Sequence, residues 1–350
     1  MASRPPANWF AALTRKIYHR IGFTKGYNFV LFFIFGGALF GFTLARLQYL
    51  ALDRACTSKA GDKPLDCYYY TPGSVDRIGI LLHLAAILPA ALLACLQFVP
   101  VIRHRLLLFH RINGYLVLVL SLISTAGALM VARNTVGGRV EVQMAVGVLS
   151  IAFVGSLALA FYNVKRLQVE QHRAWMLRAW FYAGSIITMR IIMILSAMIM
   201  SNHGYLVPKS CAEVVFLLGS AQKALQGFPD CESYVSGADP NKAVLVPATM
   251  EGTRANVNAM LSMSFGAAFW LAIAIHAAGV EIYLHLTPTE ADRLRNVSYQ
   301  RQLEAGMKNP GRAGLTADKL GDSALWVPSQ KDFQTSKEDV ARTKVAEVRG

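Results

Sequence analysis

Residues 78–102 read IGILLHLAAILPAALLACLQFVPVI, a run of this length without a single formal charge. A helix needs about 20 mostly apolar residues to cross the hydrocarbon core of a bilayer, so this stretch predicts a transmembrane helix. Five more stretches qualify on the same ground: 27–50, 106–132, 142–162, 174–200 and 257–286. The last is longer than one crossing needs, so it is expected to tilt or to continue beyond the membrane. The fold class that follows is all-α, a polytopic bundle of about six transmembrane helices. Composition agrees. Of 350 residues 54% are hydrophobic and 16% charged, against roughly 25% charged in soluble domains, and the mean hydropathy is +0.37. The first span starts far from the N-terminus and lacks a small-residue cleavage site, so it reads as an uncleaved anchor.

Orientation comes from the short flanks. Arg4, Arg15, Lys16, Arg20 and Lys25 precede the first span without an acidic residue. Arg103, Arg105 and Arg111 separate the second and third, and Lys165, Arg166, Arg173 and Arg178 face only Glu170 between the fourth and fifth. Basic flanks stay in the cytosol, which places both termini inside. The expected organisation is a basic cytoplasmic N-terminus over 1–26 and a six-span domain over 27–286 with outer loops 51–77 and 201–256. A polar tail over 287–350, mixed in charge and poor in aromatics, is expected to be disordered. The formal charge of +14 is thereby assigned to lipid headgroups and topology, and no nucleic-acid motif accompanies it.

The cysteines test this orientation independently. Cys56 and Cys67 share one outer loop, Cys211 and Cys231 the other, and both loops fall on the oxidising face, where disulfides persist. Four cysteines allow three connectivities; the expected one is Cys56–Cys67 with Cys211–Cys231. Cys95 lies within a span and reads as a small buried apolar residue. The sequon Asn296-Val-Ser298 falls in the cytoplasmic tail and is expected to carry no sugar. A short run, Val214–Leu218, is too brief to span and is expected to form an interfacial helix.

Polar side chains inside apolar spans are costly and mark candidate sites. Arg190 carries the largest penalty, about 2.5–3.5 kcal/mol near the bilayer centre, and no Asp or Glu lies at comparable depth in another span. Its partner is either backbone carbonyl, hydroxyl or water, which makes it a structural cap, or a bound anion. His83 and Gln97 lie nearly on one face of the second span with Ala86, Ala90 and Ala94; a lone histidine there serves either packing or a ligand. Together with Arg190 they are the candidate ligand-binding set. An inner set comprises His110, His172, His276 and Arg173. Imidazole is the usual axial ligand of haem in helical bundles, with His110 and His172 as iron ligands if haem binds. These histidines, however, are spread over several turns, and interfacial His/Arg pairs also satisfy headgroups. Gly114, one turn from His110, would admit a neighbouring helix or a flat ligand. There is no GxSxG, HExxH, Walker loop or GxGxxG, so hydrolase, zinc-protease, ATPase and nicotinamide readings lack support. An enzyme assignment stays open.

Taken together, His83, Gln97-Phe98, His110-Arg111-x-x-Gly114, His172-Arg173-x-Trp175-Met176-x-Arg178 and Thr188-x-Arg190 resemble the membrane family known as domain of unknown function 2306, over about 76–194. The resemblance supplies positions rather than an activity. The outer loops and polar tail look like a fungal elaboration, in a plasma membrane or endomembrane. Two functions remain. The first is a redox membrane protein holding one haem b or a quinone between the third, fifth and sixth spans. The alternative is a carrier or accessory protein without a cofactor, binding a small anionic or lipid-like molecule, in a biosynthetic pathway for example.

Overall fold

The computed structural model describes residues 8–57, 65–135 and 138–328. In chain order the helices are α1 (Trp9–Arg20), α2 (Gly26–Arg46), α3 (Leu52–Thr57), α4 (Val75–Gln97), α5 (Pro100–Arg105), α6 (Leu107–Val131), α7 (Val140–Lys165) and α8 (Val169–Met200). They are followed by α9 (Cys211–Leu218), α10 (Ala221–Gly227), α11 (Glu232–Val235), α12 (Arg254–His285), α13 (Pro288–Glu304) and α14 (Ala317–Leu320). Among the described residues, α2 with its extension to Leu50, α4, α6, α7, α8 and α12 are long and apolar enough to cross a membrane. The protein is a multi-pass, mostly helical membrane protein. The second span ends earlier than the apolar run suggests. Proline has no backbone N–H and forces the preceding residue into extended geometry; Val99 sits at φ −76, ψ 114 and Pro100 opens a separate helix.

The chain divides into two compact units, each taken by itself: residues 1–150 with 184–273, and 151–183 with 274–350. In the first unit α4 packs along α6, and Gly79 and Gly127 set how closely. A methyl on Gly127 would lie 2.6 Å from the Gly79 carbonyl oxygen and 2.6 Å from the His83 nitrogen. The two backbones therefore touch, as small residues permit in membrane helix pairs. The outer loop forms a small cap with its own core. Strand β1 (Leu206–Ser210) pairs antiparallel with β2 (Ala243–Pro247), Pro208 opposite Leu245. Val214 and Leu217 of α9 are buried with Cys211, Cys231 and Val246. The run expected to lie at the membrane interface is instead the centre of this cap.

Both expected disulfides form, Cys56–Cys67 and Cys211–Cys231, with Cα–Cα distances of 5.6 and 5.5 Å. Tyr68 beside the first packs edge-on against Phe216 beside the second, ring centroids 5.6 Å apart, so the two cysteine loops share one face.

The second unit corrects the expectation of a disordered tail from 287 onward. Residues 288–304 are helical, and 305–328 fold back over the α7–α8 turn. Polar composition misleads here because buried amide side chains satisfy the main chain and, for the two glutamines, each other. Gln302 Nε2 donates to Gln168 Oε1 (2.8 Å) and to the Arg166 carbonyl (2.9 Å), and its own Oε1 accepts from Gly311 N (2.6 Å). Gln168 Oε1 accepts from Gly314 N, and Asn163 Oδ1 from Leu315 N. Gln168, Gln302 and Ser298 have no exposed surface. Residues 329–350 of the expected tail lie outside the described residues, as do 58–64 of the first outer loop.

Candidate functional site

His83 and Gln97 prove to be fasteners between α4 and α6. The His83 Nδ1 lies 3.0 Å from the Ser124 carbonyl and 2.9 Å from its hydroxyl. Gln97 Nε2 donates to the His110 carbonyl at 2.9 Å. Between them Asn113 Nδ2 donates to the Leu93 carbonyl at 3.0 Å. One helix thus reaches the main chain of the other at three heights. Asn113 and Ser124, absent from the expected site, complete this seam. Their signal is weak, since small polar residues within spans are common. Gly114 is not the point of close approach: a Cβ there would meet only Gln97 Nε2, at 3.8 Å. Gly79 and Gly127 take that role.

Arg190 differs. It lies ten residues before the end of α8, about 15 Å along the helix, with its Cζ 5.1 Å from the centre of the Phe265 ring. Flanking Met189 and Met193 are buried with Val142, Ala145 and Phe269. The Arg190 Nε is buried and has no hydrogen-bond partner among the described residues, and Arg190 is in none of the ion pairs found there. Its charge is felt by Asp66, Arg46, Tyr70 and Tyr49. Burial pushes the Tyr70 hydroxyl well above the usual phenol range, Asp66 and Asp76 push it further, and Arg190 opposes them. Tyr70 thus stays a neutral donor and cannot neutralise a guanidinium.

The inner candidates occupy two units. His110 opens α6 in the first and offers its carbonyl to Gln97. His172, Arg173 and His276 lie in the second, engaged between helices. His172 Nδ1 is 2.9 Å from the Ala160 carbonyl and His276 Nδ1 is 2.6 Å from that of Phe181. Arg173 donates to the Tyr283 hydroxyl (3.3 Å) and lies over its ring. Arg178, over the Trp175 ring, makes a two-pronged pair with Glu281 at 2.6 and 2.8 Å. A carbonyl oxygen only accepts, so both histidines donate through Nδ1 and keep Nε2 unprotonated when neutral. His172 and Phe181, the level of His276, are nine residues apart, about 13 Å along α8. The two imidazoles therefore do not share a depth. Among the described residues, no three His, Cys, Asp or Glu side chains converge as a metal site.

Residues 80–218 match the family described as "Predicted membrane protein (DUF2306)". The matched segment runs from within α4 to the end of α9 and contains His83, Gln97, Asn113, Ser124, Gly127, the whole of α8 and Arg190. A relative from Aspergillus versicolor, "Ava biosynthesis cluster protein G", is 23% identical over 250 residues, which cover 63% of this chain and 73% of the relative. No solved structure matches.

Proposed function

We propose that this chain is a non-redox membrane protein whose first unit binds a small anionic, lipid-like molecule, as a carrier or accessory component of a biosynthetic pathway. The observation that carries this reading is the buried Arg190 Nε without a partner. A guanidinium held in a span at a cost of about 2.5–3.5 kcal/mol is offset by a carboxylate or phosphate that accepts its fork of donors. The surrounding Phe265, Met189 and Met193 suit an apolar tail. His83, His172, His276 and Gln97 of the sequence pattern fasten helices, whereas the Arg190 Nε, one of several buried polar atoms without a partner among the described residues, belongs to a charged group within a span. The name of the Aspergillus relative supports a biosynthetic setting.

The test is mass spectrometry of molecules that co-purify with the protein in neutral detergent. An anionic amphiphile is expected with the wild type and is expected to be lost in Arg190→Gln while the fold is kept. Identical co-purifying molecules in both would overturn the reading.

One observation favours the redox alternative. His172 and His276 each hold Nδ1 on a main-chain carbonyl, an orientation that metal-ligating imidazoles also adopt. On that reading a single haem b uses one of them, or His110, as axial ligand, or a quinone accepts a hydrogen bond there. A Soret band with reducible α/β peaks is its expected sign, and colourless folded protein from haem-replete cells removes the haem version.

A further inference from the structure

In the second unit a cavity of about 560 Å³ is lined by Arg166, Lys308, Arg312 and Lys319, with Asn309 and the loop around Gly306 and Ala313. Four cations line it and no carboxylate does. The neighbouring carboxylates are turned to other partners: Glu170 accepts from Gln168 and Ser298, and Asp318 takes Arg295 and one side of Arg312. Arg166, Lys308 and Lys319 belong to none of the ion pairs among the described residues.

This wall is built before any ligand arrives. The glutamine network ties the loop through Gly311 and Gly314 to the turn that carries Arg166. Lys319 is steadied by the Gly314 carbonyl at 3.3 Å. The turn itself follows the end of α7, where Lys165 lies over Phe161 and Arg166 over Tyr162, the aromatic and basic pairing of a membrane–water boundary. Beside the four cations and Asn309 the lining includes the apolar side chains of Met307 and Ala313. Every formal charge on the wall is positive, which selects an anion, and four cations favour one carrying several charges.

We propose that this cavity binds a phosphate group, with the arginine forks and lysine point charges sharing its oxygens. The phosphate belongs either to a soluble phosphorylated compound or to a lipid headgroup reaching in from the adjacent boundary. The site is separate from Arg190 and independent of what that residue binds.

The experiment uses the full chain in neutral detergent, titrated with inorganic pyrophosphate by calorimetry at ionic strength held constant with sodium chloride. Saturable binding is expected, weakened at least tenfold in Lys308→Gln/Lys319→Gln and unchanged in the control Lys25→Gln. Both substituted lysines are exposed, and unaltered hydrogen-exchange protection over 302–318 confirms that the double variant folds. In a second arm the protein is placed in phosphatidylcholine nanodiscs with or without phosphatidic acid. Loss of pyrophosphate binding in the phosphatidic acid discs assigns the site to a headgroup, and equal binding assigns it to a soluble ligand. No saturable binding in detergent or discs, or equal affinity in the double variant, would overturn the proposal.

Discussion

The α4–α6 seam and the surroundings of Arg190 solve the same problem in opposite ways. Both place polar side chains inside apolar helices. Along the seam His83, Asn113 and Gln97 each find a main-chain oxygen on the facing helix, although the Asn113 Oδ1 is itself buried without a partner among the described residues. At Arg190 a stronger polar group is buried beside Phe265 with its Nε left over. The contrast separates neutral polar groups bonded across a helix pair from a buried cation with a donor to spare, although all of them read alike in the sequence.

The largest effect is expected at the seam's closest point. In Gly127→Ala the new methyl meets main-chain atoms of Gly79 and His83, which cannot swing aside as a side chain could. The helices must separate and all three cross-helix bonds lengthen. Overpacking costs typically 1–3 kcal/mol, and the lost bonds add to it, so little folded protein should survive size-exclusion chromatography in detergent. A normal monodisperse yield would show that the seam is looser than its geometry implies.

Next comes a change of opposite sign. Replacing a buried charge by an apolar residue of similar volume is often neutral or stabilising by about 1–4 kcal/mol. Arg190→Met in ligand-stripped protein should therefore raise the thermal midpoint by several degrees while abolishing ligand retention. A lowered midpoint would place Arg190 with the fasteners. A smaller loss is expected for Gln97→Leu. Hydrogen bonds between membrane helices average about 0.6 kcal/mol, so its midpoint should fall slightly and ligand retention should persist.

How much of this was legible follows the same division. Six apolar runs gave six helices, because the bilayer's thickness dictates span length whatever the partners are. The cysteine pairing was legible because topology placed each pair in one loop. Arg190 stood out because a charge at that depth is rare. What escaped was everything decided by a partner distant in sequence. Whether His83 fastens or ligates depends on Ser124, 41 residues away. Gly127 matters only because Gly79 faces it. The hairpin β1–β2 joins strands separated by more than thirty residues. The segment 305–328 reads as disordered because composition counts few apolar residues, whereas its order comes from Gln302 meeting Gln168 across 134 positions.

That segment supplies the last and smallest test, because it holds a guanidinium that does have its carboxylate. Asp318 is buried and accepts from Arg295, with Arg312 on its other oxygen. Burial acts to raise its carboxyl, but hydrogen bonds from Arg295 and the Trp326 backbone, with the charge of Arg295, prevail and hold it down to about 2. A carboxylate whose folded value lies below its unfolded value stabilises the fold when ionised in both states. The contribution is thus fully present above about pH 4, the ordinary carboxylate value, and is lost as pH falls toward 2. Hydrogen exchange of residues 311–320 should stay protected down to about pH 4 and open progressively below it. Asp318→Asn should show weaker protection already at neutral pH and no added loss across the window. If the wild-type segment opens above pH 5, another group controls it, and the matched guanidinium contributes no more to local order than the unmatched Arg190.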